Sequence, residues 1–336
     1  MSETMDILAI GDVVTDAFIE LLPHEAEIDE SPKDHHPLLC MTYGTKIPFK
    51  QAIIINAVGN SANAAVSFAK LGLKTGFIAN VGDDQVGQDI IRQLHHQKVS
   101  TEFVHVNKGK VSNYHYVLWY GDDRTILIKH EDYEYHLPKL HGHLRPNWLY
   151  LSSASESATP MYDELAEFLE QNPEVKLAFQ PGTFQMRLGV ERLKKLYAHT
   201  ELFAVNKEEA QLVTGKKTDD IKELAKTLHS YGPKIVVITD GPKASYASDG
   251  QKVWHMPNYP DPKPPFERTG AGDSYTSTFV ACIAKGMSIE EALLWAPINS
   301  MSVVQKLGAQ AGLLDEAGIK DWLKKAPQNY KPSVMN

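Results

Sequence analysis

The 336-residue sequence predicts an α/β fold in which helices flank a central, mostly parallel sheet, and three features carry that prediction. Ile235-Val236-Val237-Ile238 is an unbroken apolar run, as strands buried on both faces are. From residue 147 strand-like and helix-like segments alternate, with Trp148 to Leu151, Met161 to Gln171, Val175 to Phe179 and Leu202 to Val205 in turn. Strand-like runs also end repeatedly in turns that open a helix, at Gly59, at Gly82-Asp83-Asp84 and at Asn206.

Along the chain, Asp6 to Ile10 is a first buried strand delivering Gly11-Asp12, with Asp16 four residues on. Ligands collect at the carboxyl ends of parallel strands. Asp12 and Asp16 suit bonds from adjacent sugar hydroxyls, and as an Asx pair they equally suit a plain turn. Residues 23 to 37 are polar, with Pro23, Pro32 and Pro37, and read as an exposed insertion; His35-His36 lacks metal-ligand spacing and reads as solvent-facing. Ala52 to Ile55 is a strand. Gly59-Asn60-Ser61-Ala62-Asn63 starts a small-residue helix that stops at Gly72, and small residues let a ligand approach. Lys74 to Asn80 is a strand, and Gly82-Asp83-Asp84 with Gly87 begins the next helix. Tyr114, Tyr116, Leu118 and Tyr120 alternate before a Gly121-Asp122-Asp123 turn and Thr125 to Ile128, a β-hairpin signal. Asn206 with Glu209 makes a capping box at a strand-to-helix junction. Ser288 to Lys306 is a helix interrupted by Pro297 and capped through Glu291. After a Gly308-Ala309-x-x-Gly312 turn, Asp315 to Lys325 closes the chain as an amphipathic helix.

Chemistry concentrates at Thr269-Gly270-Ala271-Gly272-Asp273. Gly270 and Gly272 frame a turn, and the small, apolar run behind them reads as a buried helix starting near Ala271. Such a start aims backbone N–H groups at one spot and favours negative charge there. Asp273 in the first turn then stands beside an anion site, as phosphoryl transfer to a hydroxyl requires: amides hold developing charge while the carboxylate takes the proton. Alone, this stretch is equally a capped helix start.

Thr269-Gly270-Ala271-Gly272-Asp273 resembles the signature of the ribokinase-like (PfkB) carbohydrate kinase family, and four further segments resemble that family in order. They are Asp12 to Asp16, Gly59 to Asn63, Asn206 to Glu209 and Thr239-Asp240-Gly241-Pro242-Lys243-Ala244. The resemblance spans about residues 5 to 325 and implies one kinase domain over residues 1–336, a three-layer fold with a small β-sheet lid formed by segments about 14–56 and 101–133. It implies Asp273 as general base and Gly270, Ala271 and Gly272 as the anion hole. Asp16, with Asp12, Gly59 and Asn63, would bind substrate; Asn206, Thr239, Gly241, Thr269, Gly272 and Asn299 would bind ATP. Glu209 would meet Mg²⁺ through water, and Gly82 and Asp83 would lie near substrate. Val58, Gln180 and Ala244 depart from the family pattern, as does Glu267-Arg268, where an acidic-Thr pair is usual; a monovalent cation such as K⁺ is part of the implied set.

The implied activity is ATP-dependent transfer of the γ-phosphoryl group to a hydroxyl of a ribose- or fructose-like sugar. A nucleoside (adenosine-like) kinase shares the signature. From another class stands a non-catalytic sugar- or nucleotide-binding regulator, against which Asp273 and Glu209 argue. There is no Gly-x4-Gly-Lys-Ser/Thr, and no Gly-x-Gly-x-x-Gly follows the first strand, so neither a P-loop nor a dinucleotide fingerprint is present. A net charge of −8 argues against a nucleic-acid partner. Two cysteines do not suggest a disulfide framework, and no run approaches a membrane span. A cytoplasmic enzyme is expected, with a homodimer through the lid's edge strands as one arrangement.

Overall fold

The computed structural model describes residues 4–31, 37–121 and 123–335; His35, His36 and Asp122 therefore lie outside the described residues. Strand β1 (Ile7–Ile10) enters the middle of a large sheet, and β2 (Val14–Leu21) leaves at once for a second sheet. Strands β3 (Ala26–Asp29) and β4 (Leu38–Met41) form a separate ribbon, and β5 (Phe49–Val58) returns antiparallel to β2. Helix α1 (Asn60–Lys70) leads to β6 (Thr75–Gly82), and α2 (Gln85–His96) to β7 (Val104–Asn107). The hairpin of β8 (Tyr114–Tyr120) and β9 (Asp123–Leu127) completes the second sheet, in the order β5-β2-β8-β9.

Strand–helix alternation then sets in as the sequence predicts. It runs β10 (Trp148–Leu151), α3 (Thr159–Gln171), β11 (Lys176–Phe179), α4 (Thr183–Arg192), α5 (Lys194–Ala198), β12 (Thr200–Asn206), α6 (Lys207–Thr214), α7 (Ile221–Ser230) and β13 (Ile235–Asp240). Strands β14 (Ala244–Ser248) and β15 (Val253–Pro257) turn back antiparallel. Helices α8 (Ala271–Ala284), α9 (Ile289–Val303) and α10 (Glu316–Lys324) and a short β16 (Ser333–Val334) finish the chain.

The large sheet runs β16-β15-β14-β13-β12-β11-β10-β1-β6-β7. Its pairings from β13 through to β7 are all parallel, so these strands end on one edge. Asp12, Gly82, Ser152, Gln180, Asn206 and Asp240 stand at or just past those ends. One core lies on each face. Phe68, Phe77, Phe279 and Ile298 pack on the side of α1, α8 and α9; Leu165, Tyr197, Phe203 and Leu224 pack on the side of α3, α5 and α7. Ser274 to Cys282 of α8 are all buried, because α1 and α9 flank this helix against the sheet. A helix of small and apolar residues all round fits only such a central position.

Two local expectations change. Val104–Asn107, within the stretch expected to build the lid, pairs in parallel with β6 and so extends the large sheet. Gly82 and Asp83 hold structure instead of facing a substrate: a Cβ at Gly82 would lie 2.5 Å from the Lys110 carbonyl, and Asp83 accepts the Gly109 N–H at 3.0 Å. No helix among the described residues is long and apolar enough to cross a membrane.

Candidate active site

The start of α8 behaves as its glycines predict. Gly270 is the N-cap, with φ at 80°, and the i→i−4 ladder begins with Ser274 N–H donating to Gly270 O at 2.9 Å. The first-turn amides of Gly272 and Asp273 precede that bond and have no partner in the helix ladder. The two glycines serve different ends. A Cβ on Gly270 would fall 2.4 Å from Ala309 Cβ, whereas a Cβ on Gly272 meets nothing within 4 Å. Gly270 is therefore required by packing, and Gly272 leaves open space in front of the amides. Glu267 clamps the turn: its carboxylate accepts from Thr269 N–H and Gly308 N–H, both at 2.8 Å. Both oxygens are thereby occupied by backbone.

Asp273 is buried, 8% exposed, and its two oxygens are held separately. Asn63 Nδ2 donates to Oδ2 at 2.8 Å and Gln180 Nε2 to Oδ1 at 3.3 Å. Burial pushes the carboxyl above its ordinary range, and the Asn63 and Gln180 amides pull it partly back. Gln310 Nε2 in turn donates to Asn63 Oδ1 (3.0 Å) and Ala57 O (2.7 Å), while the Tyr150 hydroxyl donates to Gln180 Oε1. Orientation of both amides is thus fixed from behind. Ala57 has φ at 61°, a left-handed conformation rare outside glycine, and the Gln310 bond helps hold it there.

Gly59, with φ at 106°, caps α1 and brings Asp12 O within 3.3 Å of where its Cβ would be, so Asp12, Gly59 and Asn63 form one wall. Asp12 differs from expectation. It is buried, the Tyr135 hydroxyl donates to Oδ1, and His130 Nδ1 lies 2.9 Å from Oδ2. Asp16 lies 3.3 Å from His115 Nδ1, its direct partner across the β2–β8 pairing. The Asp12 carboxylate is thus covered by side chains on both oxygens and leaves no free face for a sugar hydroxyl.

Across α8 from Asp273 lies a cavity of about 370 Å³, lined among others by Thr239, Gly241, Arg268, Ala271, Gly272 and Tyr259. Four of the expected residues of the nucleotide segment and anion turn (Thr239, Gly241, Ala271 and Gly272) therefore meet in one space. Asn299 does not join them. It is fully buried, its Nδ2 donates to Thr278 Oγ1 at 2.8 Å, and its Oδ1 accepts Leu314 N–H at 2.9 Å. Its side chain, fully buried, stitches α9 to α8 and to the approach to α10 and does not line the cavity.

Asn206 and Glu209 form the expected capping box, each accepting the other's N–H at 2.8 Å. Burial raises the Glu209 carboxyl, the Asn206 amide lowers it, and the Asp273 charge raises it further. Lys207 reaches Asp219 at 3.0 Å and Asp240 at 3.3 Å, and hydrogen bonds to these carboxylates hold its ammonium up to about 12. The exposed Lys243 lies 3.6 Å from Asp240. No group of three or more His, Cys, Asp or Glu among the described residues is placed to hold a metal ion.

Residues given no role in the sequence reading surround the site: Tyr135, His115, His130, Tyr150, Gln180 and Gln310. Gln180 was visible only as a departure from a pattern, and the others carried no local signal.

Two outcomes follow. Gly270→Ala should lose about 1–3 kcal/mol of stability from the clash with Ala309, whereas Gly272→Ala should melt like the parent yet weaken ATP binding; thermal melts with and without Mg-ATP separate the two. Asn299→Ala should cost about 1–3 kcal/mol by orphaning buried groups with the KM for ATP unchanged, which urea unfolding and steady-state kinetics check.

The sequence profile of "pfkB family carbohydrate kinase" matches residues 50–316. The chain is 26% identical over 260 residues to a ribokinase of Bacillus subtilis, covering 76% of this chain and 83% of that protein. It is 27% identical over 279 residues to a 5-dehydro-2-deoxygluconokinase of Bacillus licheniformis, covering 78% and 85%. The fold is similar to that of Arabidopsis thaliana ribokinase complexed with ribose and ATP, with a TM-score of 0.76 at 21% identity over 96% of this chain and 99% of that one. The Methanocaldococcus jannaschii nucleoside kinase is equally similar, with a TM-score of 0.76 at 19% identity over 97% and 100%. With the ribokinase fold and a profile match over most of its length, this chain belongs to the pfkB family of carbohydrate kinases.

Proposed function

We propose that the protein transfers the γ-phosphoryl group of ATP to a hydroxyl of a small sugar, with Asp273 as general base. The observation that carries this reading is the buried Asp273 carboxylate in the first turn of α8, raised by burial and oriented by Asn63 and Gln180. A hydroxyl attacking a phosphorus held beside that carboxylate and the first turn of α8 would meet a base and a charge-stabilising site together. The amides of Gly270 to Gly272 hold charge on the transferring group. ATP occupies the cavity of Thr239, Gly241 and Gly272, with Arg268 at its edge supplying a cation in an otherwise acidic protein.

Mg²⁺ bound to ATP would neutralise charge on the phosphates. Three protein ligands are not needed, because Mg²⁺ keeps waters and phosphate oxygens in its shell. Glu209 fits a contact through such waters: Oε2 is bound to Asn206 N–H, and the neighbouring Asp273 makes a cation welcome. Thr269, whose hydroxyl is buried without a hydrogen-bond partner, adds a donor beside the anion turn. We read the second sheet as the lid, closing over the acceptor to exclude water. Its exposed Ile54, Tyr116 and Leu127 make it also the surface where a second copy would pair.

Asp273→Asn should lower turnover about 10²–10⁴-fold with ATP binding nearly intact, measured by ADP release and calorimetry; near-parent turnover would sink the mechanism. Because burial raises the carboxyl, the base becomes protonated, and turnover is lost, as pH falls through a value that lies above the ordinary carboxylate range. The rate should climb as pH rises through that raised value, and a profile flat down to the usual carboxylate range would contradict it.

A further inference from the structure

Glu267 is buried at the foot of the glycine turn, between the exposed Phe266 and Arg268. Its two oxygens have separate duties: Oε2 accepts the Thr269 N–H and Oε1 the Gly308 N–H, both at 2.8 Å. These bonds join the turn before α8 to the loop after α9, 41 residues further along the chain. The same two segments are in close packing. A Cβ on Gly270 would fall 2.4 Å from Ala309 Cβ and 2.6 Å from its Cα, so no further atom fits between turn and loop there. Gly308 is closed from another side, where a Cβ would lie 2.6 Å from Ile55 Cδ1. Backbone oxygens of the neighbourhood point into hydrogen bonds of their own. Ala271 O accepts the Ser274 and Ser300 hydroxyls, Val304 O the Phe266 N–H, and Gly312 O the Ser302 hydroxyl.

A monovalent cation such as K⁺ belongs to the set implied by the family resemblance, and it demands something these groups do not offer. A cation is held by several oxygens whose lone pairs converge on one point. Around Glu267 the converging groups are backbone N–H donors, whose positive ends repel a cation, and each carboxylate oxygen is already engaged by one. Arg268, next in the chain, adds a full positive charge. Thr269 Oγ1 is buried without a hydrogen-bond partner, yet one hydroxyl oxygen does not make a cation shell. The donor set does not fit the ion. We propose that Glu267 takes its place: this side chain is the positioning residue of the glycine turn, and the enzyme needs no monovalent cation. The assignment rests on the kinase reading of the same site and bears on its control by salt. From within the chain, the carboxylate holds Thr269 and Gly308 in register, so the first turn of α8 keeps its shape whatever ions surround it. Charge matters here, because N–H bonds to a carboxylate are stronger than bonds to a neutral group. Reach matters too, because a side chain one methylene shorter draws back from one amide or the other.

The test follows ADP release by the full chain with Mg-ATP and ribose or fructose at fixed ionic strength, the monovalent cation being K⁺, Na⁺ or choline. Turnover and the KM for ATP should agree within about twofold across the three salts. The melting temperature should be the same in K⁺ and in choline, since an ion that binds only the native chain raises it. A larger rise in turnover with K⁺, or a melting temperature raised by K⁺ over choline, overturns the inference and leaves the kinase reading standing. Glu267→Asp, too short to reach both amides, should lose about 10- to 100-fold in kcat, the size of one lost bond to a charged group. K⁺ should restore part of that loss where choline does not, the ion entering the space vacated. Glu267→Gln, equal in reach and uncharged, should lose as much and gain nothing from K⁺. A merely structural clamp would lower melting temperature and kcat in parallel in both variants with no response to K⁺, and that result also overturns the inference. If neither variant folds, the salt series on the parent decides. A parent that releases no ADP with any sugar sinks the kinase reading instead. Calorimetric titration of Mg-ATP into parent and variants in K⁺ and in choline, which needs no turnover, then decides the role of Glu267 by itself.

Discussion

The structure depends on placing a carboxylate where water is excluded and still keeping it able to ionise. Asp273 lies at the crossing of α8 with α1, under the sheet edge, where burial alone favours the protonated acid. Three things oppose that: the amide of Asn63, the amide of Gln180 and the positive end of α8. Much of the surrounding sequence serves this balance. Small residues in α1 and α8 let the two helices approach until Asn63 reaches Asp273, and Gln310 and Tyr150 stop the two amides from turning over. A reversed Asn63 would present an oxygen to the carboxylate, so the second layer of bonds decides the sign of the first.

The glycine turn before α8 solves a different problem with neighbouring residues. Its shape is set by Gly270, which the Ala309 contact makes irreplaceable, and by Glu267, which ties Thr269 to Gly308. At Gly272, by contrast, a Cβ would meet open space, so the two glycines of one motif answer to different constraints. Ala57 shows the converse: a left-handed backbone without glycine, kept by a hydrogen bond from a residue far along the chain.

The carboxylates near the end of β1 illustrate how charge is handled when such groups crowd together. Asp12, Asp16 and Asp273 stand along one wall without a lysine or arginine ion pair to any of them among the described residues. Tyr135, the two imidazoles and the two side-chain amides take that place.

The sequence by itself determined the elements and the glycine turn before α8, because their causes are local. Apolar runs specify buried strands, Asn206 and Glu209 satisfy each other three residues apart, and Gly270 to Asp273 is a helix start wherever it occurs. It also announced the family, since its five segments follow in order. What only the tertiary structure decided are the partners of polar side chains. Asn63 meets Asp273 across 210 residues, Tyr135 reaches Asp12 across 123, and Gln310 reaches Asn63 across 247. No spacing rule links such pairs, because the chain between them folds into other elements first. That is why Asp12 turned out to be covered by Tyr135 and His130, why Asn299 belongs to the core and not to the nucleotide, and why Gln180 was invisible as a partner of the base. Helix and strand periodicity reports which face of an element is buried; which polar atom waits on the other side is fixed only when the sheet has brought its strand ends together.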